Sequence, residues 1–283
     1  MTTDATTPSC RLCRSTTRFA MSATIRGKHR ISYYVCDGCG SMQTEQPYWL
    51  EEAYAKKGIG GDNSMATRTI QLVIDSLGLL YQFKCASNDL YVDFGGGNGL
   101  FTRLMRDHGF NFFSHDKYEF PYYSDPYTLP DLDAVRPHVL TAYEVFEHLP
   151  EPAETLDYLL RRGPGLVLFG TDIFHAPDLN WPYLALPTGQ HVFFYSEKGL
   201  AGVAARYGYV FRNLGFVKLF AHPVWIAEAQ ARGVDFEAVC ALTLDRPAFD
   251  RYAINLFANS HLGLTAMMRS REHEKPKTAA DAR

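Results

Sequence analysis

Four cysteines stand in two Cys-x-x-Cys pairs, Cys10 with Cys13 and Cys36 with Cys39. Four thiolates at this spacing suit tetrahedral zinc, which brings no geometric preference of its own. The second pair reads YYVCDGCGS, and the small residues Gly38 and Gly40 let backbone amides turn toward the sulfurs. A redox pair needs only one such motif, and in a cytosolic chain metal binding is the better reading than disulfides. A closed four-cysteine site has no open position, so this zinc is expected to stabilise rather than catalyse. Cys85 and Cys240 stand alone and read as ordinary thiols.

A second constellation is Asp93-Phe94-Gly95-Gly96-Gly97-Asn98-Gly99, with an apolar run before it and a helical pattern after it. Such a turn lets backbone approach a ligand, and the following helix start favours electron-rich groups. The dinucleotide fingerprint needs a small residue where Leu100 stands, so the fit is D-x-G-x-G-x-G instead. Asp116 closes the next strand, a position from which a carboxylate takes both ribose hydroxyls of a nucleoside; a plain surface carboxylate is the alternative. A third set is Glu144-Val145-Phe146-Glu147-His148, and a fourth is His191 near the end of a long loop, 171–196. Loops of that length are usually functional.

The elements that must position these groups alternate. Ile31–Val35 reads as a strand entering the second cysteine pair. A helical stretch opens at Pro47, a Gly-rich connection follows at 56–63, and a helix spans 64–84. Strands are expected at 90–94, 110–116, 139–146 and 165–172, with helices after the glycine turn, at 152–162 and at 197–208. Residues 209–220 read as a closing strand pair. The order implies an α/β fold, a doubly wound, mainly parallel sheet, with a zinc ribbon before it and helices after it. The expected domains are the ribbon at 1–47, the sheet domain at 48–225, and a helical extension with a disordered tail at 226–283.

Composition narrows the classes. The chain is 46% apolar and 21% charged, which excludes disordered and low-complexity readings. Its net charge is −3, so no basic field draws nucleic acid to the chain as a whole. The first 46 residues differ, with six Lys and Arg against three acids. No apolar run approaches a membrane span, and the polar first residues carry no signal-like stretch. A cytoplasmic location is expected.

VDFGGGNGLFTRLM, the strand-end His115-Asp116 and TAYEVFEHLPEP at 141–152 together resemble the class I S-adenosylmethionine-dependent methyltransferases, over about residues 88–220. The resemblance implies that Asp93, Gly95, Gly97 and Gly99 line the cofactor and that Asp116 binds its ribose. Gly189-Gln190-His191-Val192-Phe193-Phe194-Tyr195-Ser196 is similar to the histidine segment of bacterial sugar C-methyltransferases, which also carry an N-terminal zinc region with paired cysteines. In them the histidine is a base, a role that falls here to His191. Glu144, Glu147 and His148 also look like the ligand set of metal-assisted O-methyltransferases, with His191 as a fourth ligand of a second divalent ion. Three roles stay open for His191, His148 and Glu147: base or acceptor positioning, metal binding, and helix-start packing. Trp181, Tyr183 and Tyr195 are candidates for an apolar substrate wall.

The expected activity is therefore methyl transfer to a small hydroxylated acceptor, a nucleotide-linked sugar or surface-glycan intermediate. Two alternatives are O-methylation of a phenolic or natural-product hydroxyl, and a ribbon that recognises RNA or protein.

Overall fold

The computed structural model describes residues 7–55 and 64–273, with side chains to residue 259. The expected Gly-rich connection and most of the expected disordered tail lie outside the described residues.

The chain opens with a hairpin. β1 (Thr17–Ile25) and β2 (His29–Cys36) pair antiparallel, and β3 (Met42–Thr44) continues the sheet. β2 contains the strand expected at Ile31–Val35, whereas β1 carries no clear strand pattern. A register shift between Phe19 and Met21 breaks the alternation that would have marked it. A short helix α1 (Leu50–Tyr54) and a long one, α2 (Met65–Gln82), lead into the second sheet.

That sheet starts from β4 (Tyr91–Phe94), α3 (Leu100–Asp107), β5 (Phe112–His115), β6 (Val139–Tyr143), α4 (Pro152–Leu160) and β7 (Leu166–Gly170). β8 (Phe193–Phe194) then leaves it and pairs with β3, completing the N-terminal sheet. α5 (Glu197–Arg206), β9 (Val210–Leu214) and β10 (Val217–Ala221) follow. The order is β5-β4-β6-β7-β10-β9. The first four strands run parallel, and β10 and β9 run antiparallel. The expected mainly parallel sheet is thus a mixed one, because the two-residue turn Gly215-Phe216 folds β10 back between β7 and β9. No strand forms between Asp116 and Val139; a single bridge, Ser114 to Thr128, stands there.

Both faces of the sheet are covered, and successive residues of the central strands feed opposite cores. Val139, Leu166 and Leu168 join a cluster with Leu77, Phe101 and Met105, while Leu140, Val167 and Phe169 join one with Leu156, Leu159 and Leu200. This two-sided burial explains why these strands read as unbroken apolar runs. The last helices α6 (Pro223–Ala231), α7 (Phe236–Leu244) and α8 (Arg246–His273) belong to the first core, with Trp225, Phe236 and Phe249 inside it. A Cβ on Gly78 of α2 would stand 2.6 Å from Phe249, so α8 covers the side of α2 turned from the sheet. That is why residues 72–80 are buried without a break. No helix among the described residues is long and apolar enough to cross a membrane.

Candidate functional site

The parallel strands end on one edge, and each end carries a polar group. β4 delivers the glycine turn. Gly95, Gly97 and Gly99 have φ of +69°, +54° and +82°, a region that L side chains rarely adopt. A Cβ on Gly95 would stand 2.6 Å from Val145, and one on Gly96 2.6 Å from Asp93 and Ser114. A Cβ on Gly97 would meet nothing within 4 Å, so this glycine faces open space. Asp116 sits beside it: its Oδ2 accepts from the Gly97 amide at 2.9 Å, and its Oδ1 from the amides of Tyr118 and Glu119. The carboxylate is held against the turn, facing the same side.

Asp93 lies elsewhere. It is buried, and it accepts from Thr141 Oγ1 at 2.8 Å and Thr102 Oγ1 at 3.3 Å. Burial pushes its pKa up to about 7. Its side chain lies under the turn and ties β4 to β6 and α3, so it braces the glycines rather than lining a crevice. Sequence cannot separate these two roles, since both need a carboxylate at the strand end.

β6 delivers the second group. Glu144 follows it with φ +55°, strain on the order of 1–2 kcal/mol for a residue with a side chain. A single 3-10 turn, Phe146–His148, comes next. Glu147 is fully buried, and neither carboxylate oxygen meets a partner in good hydrogen-bonding geometry. The Tyr183 hydroxyl and its own amide still lie close enough to favour the charged form. Burial, helped by the neighbouring Glu144 charge, pushes its pKa up to about 8. The loop after β7 brings His191 to the same place. The ligand atoms of Glu147, His148 and His191 all lie within 4.8 Å of one another.

The two imidazoles are oriented alike. His148 Nδ1 stands 3.1 Å from Gln190 O, and His191 Nδ1 stands 2.6 Å from Tyr183 O. A carbonyl can only accept, so His191 Nδ1 carries the proton and its Nε2 keeps its lone pair. The Gln190 carbonyl favours the same tautomer at His148, whose Nδ1 also meets the Tyr54 hydroxyl, a group able to donate or accept. Burial lowers both pKa values, that of His148 to about 3, so both rings are neutral at pH 7. This set can take a proton at Nε2. It can equally hold a divalent cation, because a buried carboxylate without a well-placed partner needs a proton or a positive charge beside it. Glu144 does not join it: its carboxylate pairs with Arg68 at 3.6 Å. The geometry replaces the expected Glu144/Glu147/His148 ligand set with Glu147/His148/His191.

Other neighbours carried no sequence signal. The Tyr54 hydroxyl lies 3.0 Å from His148 Nδ1. Lys218 of β10 is buried, with the charges of Asp172, Glu147 and Glu144 acting on it. Each depends on a fold-back from a distant element. Of the aromatic candidates, Tyr183 packs against His191 at 4.5 Å between ring centres. Tyr195 is fully buried and donates to Phe146 O, so it is core rather than wall. Trp181 packs on Tyr183 and Phe194 of the N-terminal cluster.

The four paired cysteines converge. Their sulfurs lie within 4.8 Å of one another, with Cys10 to Cys39 at 3.8 Å and Cys13 to Cys36 at 3.4 Å. Tetrahedral zinc with Zn–S bonds of about 2.3 Å sets its sulfurs about 3.8 Å apart, so the cluster fits that ion. All six cysteines are free thiols. The cationic excess of this region is largely engaged within the chain. Arg26, Lys28 and His29 all converge on Glu52, whose pKa falls to about 2, first through Lys28. Arg11 is buried.

Residues 67–213 match the sequence model of a family described as methyltransferase domain. No curated protein sequence matches. Solved structures with similar folds include the methyltransferase domain of bacterial CtHen1-C, at 18% identity and TM-score 0.38, covering 55% of this chain and 96% of that one. Magnesium protoporphyrin IX methyltransferase ChlM from Synechocystis PCC 6803, with bound SAH, has 14% identity and TM-score 0.42, covering 62% and 95%. CalO1, a methyltransferase in calicheamicin biosynthesis, has 13% identity and TM-score 0.39, covering 62% and 60%. The matched segment spans more than half of the chain and includes the glycine turn, Asp116 and the Glu147-His148 pair, so the protein belongs to the methyltransferase domain family and is an S-adenosylmethionine-dependent methyltransferase.

Proposed function

We propose that the protein methylates a small hydroxylated acceptor in the cytoplasm, a nucleotide-linked sugar or a surface-glycan intermediate, with His191 as base. The observation that carries this reading is the pair of neutral imidazoles, with His191 Nε2 unprotonated, at the strand edge that also bears the glycine turn. S-adenosylmethionine, when bound, supplies an electrophilic methyl group. Gly95, Gly97 and Gly99 would admit it to the turn, and Asp116 would take its ribose hydroxyls. His191 Nε2 would accept the acceptor's proton as the new bond to the methyl forms. Glu147, protonated near neutral pH, adds no negative charge to oppose the loss of that proton. The acceptor class rests on the resemblance of the His191 segment and the cysteine pairs to sugar methyltransferases. Nucleic acid is left out, because Glu52 engages Arg26 and Lys28, Asp37 engages Arg18 and burial removes Arg11, which leaves little free positive charge near the cysteines.

The test is donor consumption against a panel of nucleotide sugars, with His191→Ala as the control. Turnover of sugars that His191→Ala loses supports the reading. Turnover of phenols alone replaces it with O-methylation of a phenolic or natural product.

The orphaned Glu147 carboxylate favours a second reading. Glu147, His148 and His191 would then hold a divalent ion that aligns the acceptor hydroxyl and lowers its pKa. Activity that survives chelation removes this reading and leaves the first intact.

A further inference from the structure

The cysteine knuckles and the two site histidines are joined by one side chain. Arg11, between Cys10 and Leu12, is 6% exposed and makes no salt bridge with a carboxylate among the described residues. Its guanidinium donates instead to neutral oxygens on three segments. Nη2 donates to Val192 O at 2.6 Å, and Nη1 donates to Pro150 O at 3.1 Å. Nη2 also reaches Thr44 O and Thr44 Oγ1 of β3, both at 3.3 Å, while Nε is buried without a partner among the described residues. Val192 follows His191 directly, and Pro150 stands two residues after His148. A planar fork with fixed donor directions is suited to holding two acceptors at a set separation. The two segments are also joined by the Val192 amide, which donates to Glu147 O at 2.8 Å, by His148 Nδ1 to Gln190 O at 3.1 Å, and by the Tyr195 hydroxyl to Phe146 O at 3.0 Å. Arg11 adds a link from outside both.

The knuckles hold the fork and the far end of the same segment. The Arg11 amide donates to Gln43 Oε1 at 2.8 Å, and Gln43 Nε2 donates to Ser9 O at 3.0 Å, so the first knuckle is tied to β3. Thr44 of β3 donates its amide to Val192 O at 3.1 Å. At the other end of β8, Ser196 donates its hydroxyl to Cys39 O and its amide to Ser41 Oγ. The first knuckle thus grips the segment next to His191, and the second grips it at Ser196.

We propose that Arg11 is a positioning residue that clips the His148 segment to the His191 segment, and that the cysteine knuckles serve the reaction by holding this clip. The reaction role rests on the reading of His191 as base; the clip itself does not. A buried cation whose hydrogen-bond acceptors are all neutral, with the Glu151 carboxylate acting on it only through space, is a costly choice for packing alone. It is a reasonable one where the spacing of two chain segments must be set.

The experiment compares the zinc-loaded protein with Arg11→Met and Arg11→Lys variants. It reads the imidazole nitrogen signals of His148 and His191 by 15N NMR, assigned with His148→Gln and His191→Gln. It also reads bound zinc and the affinity for S-adenosylmethionine. The full chain is expected to show both rings protonated at Nδ1. Arg11→Met should lose that paired pattern while zinc content and cofactor affinity stay unchanged, because the thiols and the glycine turn are untouched. Arg11→Lys, which keeps the charge without the fork, should lose it too. Unaltered imidazole signals in either variant that retains zinc overturn the proposal. If both variants lose zinc or fold poorly, Arg11 is a stability residue and the clip is equally overturned. If His191→Ala keeps full activity while Arg11→Met disturbs the rings, the base reading fails and the clip stands.

Discussion

His148 and His191 meet edge to face, with ring centres 4.8 Å apart and planes at 83°. Each ring turns its Nδ1 toward a backbone carbonyl of the 183–190 loop. The lone pairs favoured at Nε2 lie beside a carboxyl group with no well-placed partner. Most of what can be tested about this protein follows from that arrangement.

Activity should extend below the pH at which an ordinary histidine base fails. Burial lowers the pKa of His191, so the neutral ring persists into more acidic solution. The acid limb of kcat/KM against pH should therefore lie below about 6.5, the unperturbed histidine value. A limb above that value would show that His191 is not the titrating group.

Glu147 should weaken the fold as pH rises. Its pKa goes up from 4.5 in the unfolded chain to about 8 in the native state. The native state therefore binds the proton more tightly, and this contribution is complete below pH 4.5 and lost as pH rises to about 8. Glu147→Gln keeps the shape without the charge. In chelator, urea unfolding should find it more stable than the parent at pH 9 by about 5 kcal/mol, with little difference near pH 4. Equal differences at the two pH values would contradict the burial of an unpaired carboxyl.

Two glycines of the turn should separate binding from folding. Gly97 faces open space, so Gly97→Ala should cost about 1 kcal/mol of stability for its positive φ and sharply weaken S-adenosylmethionine binding. Gly95 faces Val145, so Gly95→Ala should destabilise the fold by more than that. Calorimetric titration and thermal melting of the pair test this; loss of binding in neither variant would place the cofactor elsewhere.

The four-cysteine cluster should behave as a closed structural site. Cys10→Ser combined with Cys36→Ser should abolish bound zinc and lower the melting temperature, by more than a loss confined to the first 47 residues would. β8 and Ser196 are bonded to this region, so the damage should reach the site. Metal analysis and melting curves that match the parent would refute the assignment.

The sequence alone determined the local parts. Cysteine spacing, the D-x-G-x-G-x-G turn, the strand-end acid and the alternation of strand and helix are short-range patterns, each written within a few residues. They were enough for the fold class and for the family. β1 escaped because its bulge breaks the period, and the roles of Asp93 and Tyr195 escaped because burial depends on what lies opposite. Only the tertiary structure decided which side chains meet. Arg11 and Val192 are 181 positions apart, and His148 and Gln190 are 42 apart. No local period encodes such pairs. They arise because the edge of a parallel sheet gathers the ends of distant strands, and because the short strand β8 leaves that edge to complete the other sheet.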